Sequence, residues 1–245
     1  MKRILAGPHA VLEALHAAPG AIEVVLVVDS MQAGSMHRIE EKARHAKVPC
    51  ELVTKQVAED LAGHLTHQGV MAITGAYPYL DFDGLLRHAD KAEHPLVVVL
   101  DQIQDPGNLG AIMRSSYAFG ATGLILLKDR AAGVTGATVR SSAGTSELLK
   151  TARVTNLVRA LDDLRDRGYS VFGAAASGNV NLRDVSWTGK SALVLGNEGK
   201  GLRRLTARHC DRLFSIPMAN EFDSLNVSAA AAIALYEASK QRFSS

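Results

Sequence analysis

The chain has 245 residues, enough for one large domain or for one domain with a smaller companion. Apolar residues make up 47% and the formal net charge is +2. That balance allows a sizeable core, excludes attachment through a basic tail, and permits nucleic-acid binding without requiring it. The two cysteines, Cys50 and Cys210, lie far apart with no metal-ligand spacing around either, which predicts buried, reduced thiols in a cytoplasmic protein and no metal site.

The N-terminus starts basic and then turns apolar, but Pro8, His9, Glu13 and His16 break the run before it could serve as a leader. Those residues read instead as an amphipathic helix over 8–17, with Pro8 in its first turn and Val11, Leu12 and Leu15 facing inward. Strands follow at 23–28, 50–54 and 69–74, with helices at 35–46 and 55–64 between them. Residues 1–75 thus form a small α/β unit in which acidic and basic side chains nearly cancel. Six of the nine histidines fall here, without carboxylates at metal-binding spacing, and read as surface residues. The polar, proline-flanked stretch 76–95 carries one short amphipathic helix and reads as a linker containing the domain boundary.

From 96 to 245 the alternation resumes, with strands near 96–100, 123–127, 170–175, 191–195 and 212–216 and a last helix over about 225–241. Runs such as "LVVVL" and "LILL" are apolar at every position, as in a parallel sheet covered on both faces. A doubly wound α/β fold follows, with ligands expected at the carboxyl ends of the strands. No apolar run approaches the roughly 18 residues of a membrane span, so no membrane attachment is expected.

Three strand ends stand out. "DPGNLGAIMRSSYAF" at 105–119 opens a helix that Asn108 is placed to cap, with Leu109, Ile112, Met113, Ser116 and Phe119 in one stripe. Arg114 points away from that stripe, on a face shared with Gly110, Ala111 and Ala118. "LVLGNEGKGL" at 193–202 offers Gly196, Gly199 and Gly201 for positive φ and close backbone approach, and holds Glu198. "IPMANEFDSLNVSAAAAIALYE" at 216–237 places Ser224 as a helix N-cap, with Asn226 and Ser228 in the first turns. Each loop alone reads equally well as a plain turn or cap. Together they hold one arginine and one glutamate but no histidine base, catalytic-type cysteine or metal set, which excludes most hydrolase chemistry and points to a site built largely from backbone amides.

These three segments, in order over roughly 96–242, resemble the three motifs of the SpoU/TrmH family of RNA ribose 2′-O-methyltransferases. "GPHAVLEAL" and "HQGVMAI" resemble the ribosomal-protein-like RNA substrate-binding domain that precedes the catalytic domain in many members, so 1–75 would bind RNA. The resemblance implies a SPOUT catalytic domain with a parallel sheet and a deep trefoil knot, a homodimer with each active site near the interface, and S-adenosyl-L-methionine as cofactor. By the same resemblance Gly196, Asn197, Gly199, Ile216, Met218 and Leu225 would hold the adenosyl group, and Asn108, Arg114, Glu198, Ser224 and Asn226 would form the catalytic set. One departure is the bulkier, more acidic "ANEFD" at 219–223, where many relatives have a small glycine-containing loop.

The implied reaction is methylation of a ribose, of a guanosine in 23S rRNA. A tRNA ribose methyltransferase, an antibiotic-resistance rRNA methyltransferase and an inactive ribosome-associated RNA-binding protein are the alternatives. A guanidinium ordinarily keeps its proton, so Arg114 is expected to act as a cation that orients RNA and stabilises a developing alkoxide, rather than as a base.

Overall fold

The structure is a computed structural model that describes residues 2–30, 33–63, 65–220 and 224–243. The chain divides into two compact units. The first contains residues 2–78 together with 133–148, and the second contains 79–132 and 149–243.

In the first unit a four-stranded sheet has the order β1 (Arg3–Ala6), β4 (Val70–Thr74), β2 (Ile22–Val28), β3 (Cys50–Val53). β2 and β3 are parallel, whereas β4 runs antiparallel to both β1 and β2. Helices α1 (Pro8–Ala17), α2 (Ala33–His45) and α3 (Lys55–Ala62) connect the strands. Pro8 takes the first position of α1, where a missing N–H costs no helical hydrogen bond, and Val11 and Leu15 are buried while Leu12 is half-buried. β1 is absent from the sequence reading because "RILA" is too short to display a period. The expectation of buried thiols fails for Cys50, which is exposed on β3, and Cys210 is only partly covered.

Residues 133–148 hold α6 (Gly136–Ser141) and a 3-10 turn, and they belong to the first unit although the sequence places them inside the second. Gly136 explains part of this: a Cβ there would lie 1.9 Å from the carbonyl oxygen of Ile4. Arg3 adds a two-pronged ion pair to Glu147, at 2.8 and 3.2 Å, with both side chains almost wholly buried.

The second unit has a seven-stranded sheet, parallel throughout, in the order β7 (Thr151–Val154), β6 (Gly123–Leu127), β5 (Leu96–Leu100), β10 (Ser191–Leu195), β8 (Ser170–Ala174), β11 (Arg212–Ser215), β9 (Val180–Asn181). α4 (Phe82–Ala89) and α7 (Leu157–Asp166) pack on one face, joining Val97, Val99, Ile125 and Val194 in a buried cluster. The alternate residues Val98, Leu124 and Leu193 are equally inaccessible, as a sheet covered on both sides requires. α5 (Pro106–Ala118) lies against α9 (Val227–Arg242), and α8 (Arg204–Arg208) is short. Leu85, Leu86 and Ala89 are fully buried, so the helix read as part of a linker is an element of this core. β7 and β9 were not anticipated, being four and two residues long. Among the described residues no helix is long and apolar enough to cross a membrane.

Candidate functional site

Because every strand of the second sheet runs the same way, all their carboxyl ends fall on one rim, and three loops from that rim meet. Asp105, not Asn108, caps α5: its carboxylate accepts from the Asn108 backbone N–H at 2.8 Å. The Asn108 side chain is therefore free for the third turn of the site. Likewise Asn226, not Ser224, caps α9, its Oδ1 accepting from the Ser228 backbone N–H at 2.9 Å and from the Ser228 hydroxyl at 2.6 Å.

The two asparagines then join. Asn226 Nδ2 donates to Asn108 Oδ1 at 3.1 Å, and Asn108 Nδ2 donates to Glu198 Oε1 at 3.0 Å. Glu198 Oε2 accepts from Asn197 Nδ2 at 3.2 Å, which also donates to the carbonyl oxygen of Gln102 at 3.0 Å. Residues separated by 118 positions are thus linked by a chain of donors that ends on one carboxylate. That gives Glu198 the structural explanation its turn alone could not supply. Gln102 adopts a left-handed φ of 63°, uncommon for a residue with a side chain, which marks this strand end as held in place by its surroundings.

The loop 196–202 closes on itself through paired backbone hydrogen bonds between Asn197 and Gly201, at 3.0 and 2.9 Å. Of its three glycines only Gly201 has a positive φ, at 63°. Gly196 serves close approach instead: a Cβ there would fall 2.2 Å from the Gly201 carbonyl carbon and 2.3 Å from the Leu202 nitrogen. The loop is fastened to the sheet by Asp101, wholly buried at the end of β5, which accepts from Arg203 Nε at 2.6 Å and from its backbone N–H at 3.1 Å. Sequence reading missed Asp101, Gln102 and Arg203; the acid that ends "LVVVLD" was their one visible signal.

Beneath this loop is a cavity of about 510 Å³. Gly196, Asn197, Gly199, Ile216, Met218 and Leu225 all line it, as do Glu198 and Ser224. Ala174, the last residue of β8, and Ala175 to Ser177 just beyond it complete the wall and were not anticipated. Asn108 and Asn226 reach the cavity through Glu198. Arg114 does not line it: its side chain is exposed six residues beyond Asn108 on α5, about 9 Å along the helix axis. Within "ANEFD", Asn220 is exposed, while Glu221, Phe222 and Asp223 lie outside the described residues. Among the described residues no group of histidine, cysteine or carboxylate side chains could hold a metal ion.

A parallel α/β sheet whose rim carries a self-closed glycine loop, an asparagine–glutamate network and a cavity has the arrangement in which α/β proteins bind small ligands at the carboxyl ends of their strands. The SpoU rRNA Methylase family matches residues 95–236, and the chain belongs to that family. Residues 4–80 match the RNA 2'-O ribose methyltransferase substrate binding family. Among relatives, the 23S rRNA (guanosine-2'-O-)-methyltransferase RlmB of Xanthomonas axonopodis pv. citri is 37% identical over 97% of this chain and 96% of its own. RlmB of Coxiella burnetii is 39% identical over 96% of this chain and 94% of its own. Among solved structures, the SpoU methyltransferase AviRb from Streptomyces viridochromogenes in complex with AdoMet superposes with a TM-score of 0.81, at 29% identity, covering 100% of this chain and 92% of its own.

Proposed function

We propose that this protein transfers a methyl group from S-adenosylmethionine to the ribose 2′-oxygen of a guanosine in 23S rRNA. The single observation that carries the reading is the joining of three strand-end loops through Asn226, Asn108 and Glu198 beside one cavity. Near-full-length similarity to RlmB relatives supplies the substrate class.

The residues present fit the cofactor. A volume of about 510 Å³ falls within the roughly 300–1,000 Å³ of small-molecule sites. Ile216, Met218 and Leu225 offer apolar cover for a flat base. Bound S-adenosylmethionine supplies a methyl group already activated by its sulfonium. What remains for the protein is to place the ribose oxygen in line and to stabilise the charge it develops. Asn108, Glu198 and Asn226 fix the loop that faces the reacting atoms, and Ser224 sits on the cavity wall. Arg114, as a cation, meets the RNA. Its position outside the cavity wall supports a homodimer in which each active site lies near the interface, as do Tyr117, Ile233 and Tyr236, exposed on α5 and α9. A knotted path through the second unit, RNA recognition by the first and a cytoplasmic location belong to the same proposal.

The test is transfer of label from S-adenosylmethionine to unmodified 23S rRNA transcript by the wild-type protein and by Arg114→Ala. Wild-type transfer, abolished in the variant with cofactor affinity unchanged, is the expected result. Full turnover by Arg114→Ala would remove that residue from the mechanism.

A further inference from the structure

A second cleft opens on the same rim of the second unit. β10, β8 and β11 end over the cofactor cavity, whereas β6 and β7, on the other side of β5, end over a cleft of about 830 Å³. Adjacent strands are spaced by about 4.8 Å, so β7 ends roughly 10 Å along the rim from β5. Tyr79, Lys128, Arg153, Asn156 and Arg159 line this cleft, with Asp81, Asp129 and Asp163 among its acids. None of these residues belongs to the catalytic or cofactor-binding set.

We propose that this cleft is an RNA subsite that holds the nucleotide next to the methylated one; the inference rests on the RNA methyltransferase reading above. Single-stranded nucleic acid is gripped by cations along its backbone and by flat side chains against its bases. The cleft has both. The Arg153 guanidinium lies over the Tyr79 ring, 5.2 Å from its centroid, and donates to the Lys128 carbonyl. Tyr79 is itself held at the sheet edge, because Leu80 pairs with Ala152 and its N–H donates to the Thr151 carbonyl at 2.9 Å.

Of the remaining charges, Asp163 lies 4.0 Å from Arg159 and Asp81 lies 3.9 Å from Arg87. The exposed Asp129 follows Lys128 directly in the chain, so the cleft's three cations are matched by three acids and its attraction for a phosphate is local to Lys128. Among the described residues no carboxylate comes within ion-pairing distance of the exposed Lys128 ammonium, which leaves it for a phosphate. The cleft therefore suits a chain that carries an anion and a π-face at each step.

The experiment uses full-length protein and a 23S rRNA fragment, with methylation kinetics measured over a range of salt and S-adenosylmethionine affinity measured separately. Lys128→Ala, whose exposed side chain places folding at no risk, should raise the KM for RNA several-fold, leave kcat within about twofold, and leave cofactor affinity unchanged. The slope of log KM against log salt should fall by about 0.7, the value for one single-strand phosphate contact. Lys128→Arg should restore both quantities. Tyr79→Leu should raise the KM without altering the slope, while Tyr79→Phe retains wild-type behaviour. Unchanged KM and slope in Lys128→Ala and Tyr79→Leu, with normal wild-type turnover, would overturn the subsite and leave the enzymatic reading intact. Failure of the wild type to methylate any RNA would overturn both.

Discussion

Glu198 receives one asparagine amide on each carboxylate oxygen, and this geometry makes a demanding prediction. A glutamine at 198 would keep one acceptor and turn its own NH2 toward an asparagine NH2, so one hydrogen bond is lost and two donors face each other. Leaving a partly buried donor unsatisfied costs about 1–3 kcal/mol. Because the network orders the wall of the cavity proposed to hold the cofactor, Glu198→Gln should weaken S-adenosylmethionine binding about tenfold, since each 1.4 kcal/mol is a decade in Kd. Isothermal calorimetry measures this; an unchanged Kd would show that the network does not order the loop.

The same scale shows why caps were misread. Asp105 and Asn108 are both good capping residues, as are Ser224 and Asn226, and local sequence cannot choose between them. The choice is made by partners far along the chain. Asn108 leaves its helix start because Glu198 and Asn226 claim its side chain, and that competition is tertiary.

At the scale of elements, the loop 193–202 is governed by contact between its own strands of backbone. Any Cβ on Gly196 would collide with backbone atoms of Gly201 and Leu202, which cannot swing aside as a flexible side chain would. Gly196→Ala should therefore break the Asn197–Gly201 pairing, at a cost of about 3 kcal/mol or more. The expected outcome is loss of cofactor binding with the far-ultraviolet circular dichroism retained; binding at wild-type affinity would contradict the close-approach argument. Central strands such as β5, β6 and β10 were legible because both faces are buried and, Ser191 apart, the residues are apolar or glycine. β1, β7 and β9 were not, since two to four residues show no period and each of them contains an arginine or asparagine. α4 looked like part of a linker because half its surface is polar; only its partners show that Leu85 and Leu86 are core.

For the whole molecule, family membership was legible from three motifs, while the grouping of 133–148 with the first unit was not. Residues 133–148 complete the first unit, and nothing in "GVTGATVRSSAGTSEL" announces a partner more than a hundred residues earlier. The Arg3–Glu147 ion pair carries that closure, since Arg3 also donates to the Gly75 carbonyl and lies 5.2 Å from the Tyr77 ring. Removing one partner from a buried pair strands the other charge, at about 3–5 kcal/mol. Glu147→Ala should lower the stability of the protein to urea by that order, read from the unfolding midpoint. A midpoint equal to that of the wild type would show that the inserted segment contributes little to the first unit.

The central claim is that three strand-end loops make one site for methyl transfer to an RNA ribose. The measurement that tests it most directly is nuclease mapping of the product formed by purified protein, labelled S-adenosylmethionine and unmodified 23S rRNA, with unmodified tRNA in parallel. The account predicts label at a single guanosine, on its 2′-oxygen, in 23S rRNA alone. Label on a base instead of a ribose, or in tRNA alone, would contradict it.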